Sequence, residues 1–546
     1  MKPLTLQEVV TALAGTIDRP MPVGSVTRVS TDSRTIQAGD LFVAIRGQQF
    51  DGHDFVGEVL TRGAMAAVVS GDFAAGGPGP AGLPPGAILI RVDDTVQALG
   101  RLARWYRRSV IDGSVSVVAV TGSNGKTTTK MMIAHILSGR WKGRASIKSF
   151  NNAIGVPLTL LSTEPAEEFV VCEVGTNAPG EIAALAKLIE PEVAVITGIA
   201  PVHLEGLGSL EGIAAEKLSL LNELRPEGCA VINADSELLR WSMEHDRQLA
   251  RIKKVTFGEW PQADLRLTDL RITISNLRSQ SKPASVPIGP AVSARPDGSA
   301  VLSGSAVLAG VDRDPGVVQE FTVNGRFVYR LNVPGRHNVF NALAAIGVAR
   351  RFGMTDAEIA ARLASFELPP MRLDCQRVGS LTLINDAYNA NPASMAAAVE
   401  VLMSMPAAGR RVLVVGDMRE LGAAAADLHR ELGDRIGRSG VDVVIAVGEY
   451  AKMIRDMVKE TSQDRIKTHA YATTDLVRQR LASILRPGDT VLVKGSRAMA
   501  LERLVEAIRQ WAASPGSPQR HPGEPGVPQA ASPAGARRAK IKRIAT

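Results

Sequence analysis

The stretch from Val115 to Lys130 carries residue types that hold a polyphosphate. It reads V-S-V-V-A-V-T-G-S-N-G-K-T-T-T-K, in which an apolar β-branched run is followed by a glycine-bearing turn, a lysine and three threonines. In a strand–turn–helix segment, backbone N–H groups face an anion, the lysine adds a charge, and a threonine hydroxyl can reach Mg²⁺. The spacing departs from the usual P-loop, because Gly122 lies three residues before Gly125 instead of five. The context still predicts an ATP site formed by Thr121, Gly122, Ser123, Asn124, Gly125, Lys126, Thr127 and Thr128.

Polar residues near the ends of apolar runs predict a metal site beside this turn. Thr127 follows the first run, Glu173 lies in V-V-C-E-V-G, and His203 follows V-A-V-I-T-G-I-A-P-V. Ligands collect at the carboxyl ends of strands in open parallel sheets, where a hydroxyl, a carboxylate and an imidazole could supply part of a Mg²⁺ shell. The structural alternatives are a hydrogen-bonded core carboxylate for Glu173 and a turn histidine for His203.

Lys217 lies on the apolar face of a predicted helix that Ser209 can cap. The apolar stripe of this helix contains Leu210, Ile213, Ala214, Lys217, Leu220 and Leu221. A lysine in such a stripe can extend its ammonium to water. It can also have a lowered pKa and react as a neutral amine, and carbamylation by CO₂ would turn it into an anion able to bind a second Mg²⁺.

Two further polar groups occur later in the chain. The segment G-R-H-N-V-F-N-A-L-A-A places Asn338 and Asn341 one helical turn apart, so both amides can face a purine edge or else act as caps. Arg372 precedes a predicted strand that ends I-N-D-A-Y-N-A-N-P, with Asp386 and Asn389 at its end. An arginine that reaches a γ-phosphate from another domain is recurrent in phosphoryl transfer, and a surface salt bridge is the alternative.

Charge and composition argue against several classes of protein. The 546 residues carry a net charge of +8, but six basic residues and one glutamate lie in a Pro/Gly/Ser/Ala-rich tail from residue 513 onward. We expect this tail to be disordered, and the nearly neutral body argues against a nucleic-acid partner. The absence of a membrane-spanning apolar run or a secretion signal, together with three scattered cysteines, favours a cytoplasmic protein.

The order of apolar runs predicts an α/β protein with three domains. We expect a small N-terminal α/β domain over 1–104 and a central P-loop domain with a mostly parallel sheet over 105–370. A doubly wound, Rossmann-like domain over 371–512 and the tail 513–546 follow. A surface loop is expected at 76–86 and an irregular or β insertion near 279–316. The predicted strands are Asp40–Arg46, Ala66–Val69, Val115–Val120, Phe169–Val174, Val193–Thr197, Cys229–Ile232, Thr382–Ile384, Val412–Val415, Val443–Val447 and Thr490–Val493.

Taken together, these motifs resemble the Mur ligase family. The segments T-G-S-N-G-K-T-T, C-E-V-G-T-N-A-P-G-E-I, A-P-V-H-L-E-G-L-G-S-L-E-G-I-A-A-E-K, P-G-R-H-N-V-F-N-A-L-A-A and M-R-L-D occur in the family's order. Within the family, D-A-Y-N-A-N-P-A-S-M, V-V-G-D-M-R-E-L-G and V-K-G-S-R-A-M-A-L-E are similar to the ligases that add D-alanyl-D-alanine. The N-terminal S-T-D-S-R, G-D-L-F-V-A-I-R-G and D-G-H-D-F resemble a uridine-nucleotide domain. The short P-loop spacing is usual in this family, whereas Arg419 and the long insertion depart from its pattern.

The resemblance implies an ATP- and Mg²⁺-dependent ligase that joins D-alanyl-D-alanine to UDP-MurNAc-tripeptide through an acyl phosphate. It implies that Lys126 contacts phosphate, that Thr127 and Glu173 hold one Mg²⁺, and that His203 and carbamylated Lys217 serve a second. It further implies that Asn338 and Asn341 hold adenine, while Arg372, Asp386 and Asn389 close over the nucleotide. The residues implied to meet the UDP-sugar peptide are Ser30, Thr31, Asp32, Ser33, Arg34, Asp51, Gly52, His53, Asn151 and Asn152. We expect a monomer without membrane insertion.

Other functions remain open from the sequence. A folate polyglutamyl ligase would share the central fold but would not explain the uridine-type N-terminal domain. The preceding ligase of the family, which adds the third amino acid, should carry a D-N-P-R-type signature that we do not find. A P-loop switch or nucleic-acid ATPase would use the basic tail to bind polyanions.

Overall fold

The computed structural model describes residues 1–21, 23–47, 49–73, 82–202, 204–274 and 317–513. These residues form three α/β units, each built on its own main sheet. The predicted fold class is therefore confirmed. The predicted insertion near 279–316, the tail beyond Ala513 and most of the predicted loop 76–86 lie outside the described residues.

In the described part of the N-terminal unit, three α-helices pack against a small sheet. Its described strands are β1 (Leu4–Thr5), β2 (Thr16–Ile17), β3 (Ser25–Val26), β4 (Arg28–Ser30), β5 (Asp40–Val43), β6 (Ala66–Ser70) and β7 (Leu89–Val92). Its helices are α1 (Leu6–Leu13), α2 (Val56–Thr61) and α3 (Thr95–Ser109). The main sheet has the order β2-β7-β6-β5-β4 and is parallel except for β2, while β1 pairs with β3.

The central unit contains a long mixed sheet. Its described strands are β8 (Ser116–Thr121), β9 (Gly143–Ala145), β10 (Phe169–Glu173), β11 (Val193–Ile196), β12 (Cys229–Asn233), β13 (Lys254–Gly258), β14 (Leu265–Ile274), β15 (Val317–Val323) and β16 (Phe327–Leu331). Its helices are α4 (Lys126–Leu137), α5 (Gly155–Ser162), α6 (Glu181–Ile189), α7 (Leu204–Leu207), α8 (Leu210–Leu218), α9 (Glu237–His245), α10 (Arg336–Arg351) and α11 (Asp356–Ala364). The sheet order is β16-β15-β14-β13-β12-β11-β8-β10-β9, and among the described strands only the β14–β15 and β15–β16 pairings are antiparallel.

Strand β8 lies in the interior of this sheet and is apolar on both faces. Val117 and Ala119 pack into one core, while Val118 and Val120 pack into the core on the opposite face. A continuous run of branched residues is what a strand covered on both faces requires. The strand therefore ends in a buried crevice between β10 and β11, where the chain changes direction across the sheet.

The C-terminal unit is doubly wound. Its described strands are β17 (Asp374–Val378), β18 (Leu381–Asp386), β19 (Arg411–Gly416), β20 (Val443–Val447), β21 (Lys467–Tyr471) and β22 (Thr490–Lys494). Its helices are α12 (Pro392–Ser404), α13 (Ala425–Gly437), α14 (Ala451–Ser462), α15 (Thr474–Ile484) and α16 (Glu502–Ala513). The sheet order is β17-β18-β22-β19-β20-β21, with β17 antiparallel and the other strands parallel.

Each predicted strand is confirmed to within three residues at either end. Of the described strands, the prediction omitted β1–β4, β7, β9, β13–β17 and β21, which are mostly short or amphipathic. Helix α3 continues across the predicted 104/105 boundary, and its buried Arg107 donates to the backbone oxygens of Ile189 (2.9 Å) and Glu190 (3.1 Å) at the end of α6. The domain boundaries themselves stay predictions. Among the described residues, no helix is long and apolar enough to cross a membrane.

Candidate active site

A cavity of about 1450 Å³ opens at the carboxyl ends of the central strands. All three units contribute to its wall: α3 from the first, the turn after β8 and the end of β10 from the second, and β18, β22 and α12 from the third. The predicted site residues that line it are Ser123, Asn124, Gly125, Lys126, Thr127, Thr128, Asn151, Asn152, Glu173, Asn338, Asn341, Arg372, Asp386 and Asn389.

The turn between β8 and α4 has the shape of a phosphate loop. Gly122 and Gly125 have φ values of +140° and +80°, and side chains there would meet Thr197 and Asn341, respectively. The Lys126 ammonium folds back over the turn and donates to the backbone oxygen of Gly122 at 2.8 Å. Thr121 and Gly122 lie behind the cavity wall, so they shape the turn from the strand side.

Glu173 ends β10 as a buried carboxylate with several donors around it. Its Oε2 accepts from Thr127 Oγ1 at 2.8 Å and lies 3.1 Å from the Lys130 ammonium. Its Oε1 accepts from Asn151 Nδ2 at 3.1 Å. Burial alone would raise the pKa of the Glu173 carboxyl, but the charges of Lys130, Lys126 and Arg372 lower it below its usual value. The carboxylate is therefore held ionised.

The paired asparagines form part of the same wall. Asn341 Nδ2 donates to Asn338 Oδ1 at 3.0 Å, and Asn341 Oδ1 accepts from Thr129 Oγ1 at 3.2 Å. Asn338 Nδ2 donates to the backbone oxygen of Pro334 at 2.7 Å. These bonds fix the two side-chain amides beside the phosphate loop. Both asparagines lie on α10, so a helix and not a loop determines their orientation.

The C-terminal unit reaches this site through two contacts. Arg372 Nη2 donates to Thr127 Oγ1 at 2.8 Å, and Asn391 Nδ2 donates to Asn124 Oδ1 at 2.6 Å. The guanidinium of Arg372 also lies 4.3 Å from the centroid of the Tyr388 ring. The surface salt bridge considered for Arg372 is therefore not what this side chain forms.

Asp386 and Asn389 lie on the C-terminal side of the cavity and share one cation. Lys494 Nζ lies 2.7 Å from Asp386 Oδ2 and donates to the backbone oxygen of Asn389 at 2.9 Å. Asp386 Oδ1 also accepts the backbone N–H of Leu373 at 3.1 Å. The carboxylate thus holds the segment that carries Arg372.

Lys217 lies on α8, whose N-terminus is capped by Ser209 as predicted. The lysine is 2% exposed, so it does not extend to solvent. Burial, and then the Lys126 charge, lowers the pKa of its ammonium to about 7, while Glu216 opposes the shift. The predicted stripe is wrong at Leu210, which is 42% exposed. Lys217 is not part of the cavity wall, and His203 lies outside the described residues.

The chain matches family models over each of its three units. The model for the Mur ligase family, catalytic domain, matches residues 25–107, that for the Mur ligase middle domain matches 120–349, and that for the Mur ligase, glutamate ligase domain, matches 371–497. The UDP-N-acetylmuramoyl-tripeptide–D-alanyl-D-alanine ligase of Bacillus subtilis (strain 168) is 33% identical over 92% of this chain and 98% of that protein. The ligase of the same name from Escherichia coli (strain K12) is 35% identical over 88% and 93%. This chain belongs to the Mur ligase family.

Solved structures of the family have the same architecture. Crystal structure I of MurF from Acinetobacter baumannii superposes with a TM-score of 0.76 at 27% identity, over 93% of this chain and 99% of that one. MurF ligase from Thermotoga maritima in complex with ADP gives 0.67 at 26% identity, over 89% and 98%. The three-domain fold is therefore shared over nearly the full length of both structures.

The predicted site residues of the N-terminal unit, Ser30–Arg34 and Asp51–His53, do not line the cavity. Asp32 caps a 3₁₀ turn, Ser33–Thr35, and forms an ion pair with Arg34 at 2.7 Å. The His53 ring lies between Asp51 Oδ1 (2.6 Å) and Ser70 Oγ (2.8 Å), so both ring nitrogens have partners inside the fold. These are structural roles, and the predicted contacts of Ser30–Arg34 and Asp51–His53 with a substrate stay predictions.

Sequence reasoning gave no role to three residues that the structure brings to the site. Lys130 contacts Glu173, Asn391 contacts Asn124, and Lys494 contacts Asp386. Lys130 lies one helical turn after Lys126 and Lys494 ends an apolar strand, so spacing could have indicated both. Asn391 had no such signal, because its contact depends on how two units dock.

Replacing Lys217 by Met should stabilise the fold more at pH 6 than at pH 9. The folded pKa of about 7 lies below the ordinary value of 10.5, so the unfolded chain binds more protons between these values and wild-type stability rises with pH. Below pH 7 the buried ammonium carries its full cost, which methionine removes. Thermal unfolding in bicarbonate-free buffer should show that Lys217→Met raises the free energy of unfolding more at pH 6 than at pH 9. The difference between the two gains should be on the order of 2 kcal/mol.

Lys142 provides the control, because its side chain is exposed. Lys142→Met should therefore change the free energy of unfolding equally at both pH values. An equal gain for Lys217→Met at pH 6 and pH 9 would contradict a lowered pKa.

Proposed function

We propose that this protein is an ATP-dependent, ADP-forming ligase that joins D-alanyl-D-alanine to the terminal carboxylate of UDP-MurNAc-tripeptide. The observation that carries the proposal is the cavity in which a phosphate loop, the ionised Glu173 and groups of the C-terminal unit meet. The relatives from Bacillus subtilis and Escherichia coli carry the name of this reaction and align over about nine-tenths of the chain. The product would be UDP-MurNAc-pentapeptide, a precursor of peptidoglycan.

The chemistry explains why such a site is needed. A free carboxylate does not acylate an amine at neutral pH, because oxide is a poor leaving group. Transfer of the γ-phosphoryl group of ATP to the tripeptide carboxylate forms an acyl phosphate and releases ADP. The amine of D-alanyl-D-alanine then attacks the carbonyl, and the tetrahedral intermediate collapses with loss of phosphate. Each new bond is matched by one leaving group.

Bringing the reactants together requires positive charge. The carboxylate and the γ-phosphate must approach to about 3–3.5 Å. Their repulsion at 4 Å is about 4 kcal/mol at an effective dielectric constant of 20. Lys126 and Thr127 begin α4 directly after the phosphate loop, and Arg372 reaches Thr127, so the charges of Lys126 and Arg372 can both offset this repulsion. The MurF of Thermotoga maritima was solved in complex with ADP, which supports nucleotide binding by this protein.

The residues beside the loop fit one Mg²⁺. The Thr127 hydroxyl and the Glu173 carboxylate lie 2.8 Å apart and offer hard oxygen donors. Among the described residues there is no cluster of three acidic, histidine or cysteine side chains that could hold a metal. Phosphate oxygens and waters would therefore complete the shell, as is usual for Mg²⁺, and the ion would neutralise phosphate charge.

The other assignments follow from position. Asn338 and Asn341 would hold the adenine edge, while Arg372, Asp386 and Asn389 would close over the nucleotide from the C-terminal unit. Asn151 and Asn152 would contact the peptide, and the segments Ser30–Arg34 and Asp51–His53 would contact the uridine nucleotide. We retain the four segments 1–104, 105–370, 371–512 and 513–546, a cytoplasmic location, a monomeric state and the absence of a nucleic-acid partner as parts of this proposal.

Lys217 would act as a carbamate with His203 at a second Mg²⁺. An amine with a pKa of about 7 is partly neutral at physiological pH, which is the form that reacts with CO₂. Reaction with CO₂ would convert the Lys217 side chain from a cation into an anionic carbamate near Lys126.

A coupled assay of ADP release tests the main proposal. With UDP-MurNAc-tripeptide and D-alanyl-D-alanine both present, we expect steady ADP release and a product mass that corresponds to the pentapeptide. Either substrate alone should give at least a hundredfold less. Peptides ending in lysine and in diaminopimelate should be compared.

Folate with glutamate, and UDP-MurNAc-dipeptide with either diamino acid, serve as competing substrates in the same assay. Faster turnover with one of these pairs would replace the proposed reaction by that of a related ligase. ADP release stimulated by nucleic acid and lost on deletion of residues 513–546 would favour the ATPase alternative.

Replacing Lys217 by Ala should lower kcat at least a hundredfold and should be partly rescued by acetate or formate. A short carboxylate can occupy the space of the lost side chain and restore the anion. Measurement of kcat against carboxylate concentration, with chloride as the control salt, checks this. A response to acetate no greater than that to chloride would contradict carbamylation.

Replacing Asn391 by Ser should reduce kcat/KM about threefold to tenfold, the effect of one hydrogen bond. Serine still caps α12 but is too short to reach Asn124, so the substitution removes only the contact between the units. The thermal midpoint should stay within 2 °C of the wild type, and Thr473→Ser, at the remote cap of α15, should change neither quantity. An unchanged kcat/KM for Asn391→Ser would show that the contact has no part in closure.

A further inference from the structure

Lys130 is a fully buried cation to which neither the sequence motifs nor the proposed reaction gives a task. It lies on α4 one turn after Lys126 and has an exposed fraction of 0%. Its ammonium lies 3.1 Å from Glu173 Oε2 and donates to the backbone oxygens of Ser146, at 2.9 Å, and Lys148. An ammonium has three N–H donors, and here each has one acceptor.

The three acceptors belong to two different chain segments. Glu173 ends β10, while Ser146 and Lys148 belong to the loop that leaves β9. Ser146 is also tied to β10, because its N–H donates to the Val171 oxygen at 2.9 Å and its Oγ accepts from the Glu173 N–H at 3.3 Å. Lys148 has a φ of +49°, an uncommon conformation for a residue with a side chain. Its carbonyl is turned toward the ammonium, which stabilises that conformation.

The loop that Lys130 holds continues directly into the cavity wall. Ser149, Asn151 and Asn152 line the cavity within four residues of Lys148. Asn151 donates to Glu173 Oε1 at 3.1 Å, and Asn152 accepts the N–H of Gly155 at the start of α5. One buried cation therefore fixes both the carboxylate beside the phosphate loop and the segment on the opposite side of that carboxylate.

We propose that Lys130 is a positioning residue that holds the segment 146–152 against Glu173, so that Asn151 and Asn152 are aligned to receive the acid substrate. This rests on the proposed function for the identity of that substrate. Lys130 touches neither nucleotide nor peptide in this role, and it acts through the loop and the carboxylate.

The chemistry of the side chain explains why lysine is needed. Methionine has a similar length but no donor, so it would leave the carbonyl oxygens of Ser146 and Lys148 without this partner, and Glu173 Oε2 would keep only its bond from Thr127. Arginine keeps the charge, but its planar guanidinium cannot direct three donors to acceptors arranged around a single nitrogen. A pure charge effect and a positioning effect are thus separable by these two variants.

The experiment compares the full-length Lys130→Met and Lys130→Arg variants with wild type. Hydrogen exchange followed by mass spectrometry should show at least tenfold faster exchange in residues 146–152 and unchanged exchange in the C-terminal unit. The KM for UDP-MurNAc-tripeptide should rise at least tenfold in both variants, while the KM for D-alanyl-D-alanine stays within threefold. Lys142→Met, which removes an exposed lysine just before β9, should change none of these values.

Several outcomes would overturn the proposal. Faster exchange across the whole chain with unchanged KM values would mean that Lys130 only stabilises the fold. A wild-type KM in Lys130→Arg would mean that charge alone suffices, and this variant decides the question should Lys130→Met not fold. If wild type forms no product from UDP-MurNAc-tripeptide, the proposed function fails, whereas the exchange of residues 146–152 still decides whether Lys130 holds them.

Discussion

The ionised carboxylate of Glu173 in a buried crevice is the constraint that organises this site. Burial of an unpaired carboxylate costs several kcal/mol, so the fold must supply cations around it. It does so from two units, with Lys126 and Lys130 on α4 and Arg372 on the C-terminal unit. Three cations around one carboxylate leave a local excess of positive charge. A site that must receive a polyphosphate and a second carboxylate needs that excess.

Strand register explains how the carboxylate and the phosphate loop come to the same place. Glu173 pairs with Val120, the penultimate residue of β8, so β10 ends where the loop begins. Thr121 pairs with Ile196 on the other side, and Thr197 then packs against Gly122. Parallel strands in register deliver their following residues to one edge, and the space behind Gly122 leaves no room for a side chain. The loop conformation is thus set by its neighbours as much as by its own glycines.

The sequence predicted those parts of the molecule in which local pattern and tertiary environment agree. Buried strands such as Val443–Val447 are continuous apolar runs, and the Ser209 cap has its own local signal. The short β9 has no apolar run, because Gly143 and Arg144 lie near the sheet edge and are half-buried. Leu210 follows helical spacing but lies in the first turn, where the helix faces outward. Contacts such as Asn391 with Asn124 join residues far apart in the chain, so local spacing carries no information about them.

The backbone conformation at the junction between the central and C-terminal units determines the direction of the Arg372 side chain. Met371 and Leu373, on either side of it, have φ values of +63° and +50°, which costs on the order of 1–3 kcal/mol for each such residue. Two bonds hold this conformation: the Met371 oxygen accepts from the Tyr388 N–H at 3.2 Å, and Asp386 accepts from the Leu373 N–H at 3.1 Å. Lys494 in turn fixes Asp386. The direction of the Arg372 guanidinium is therefore determined by Asp386 and Lys494, at the carboxyl ends of β18 and β22, and not by a flexible linker. Any rotation of that unit would carry Arg372 with it as a rigid part, so approach of the unit and delivery of its positive charge to the phosphate loop are one event.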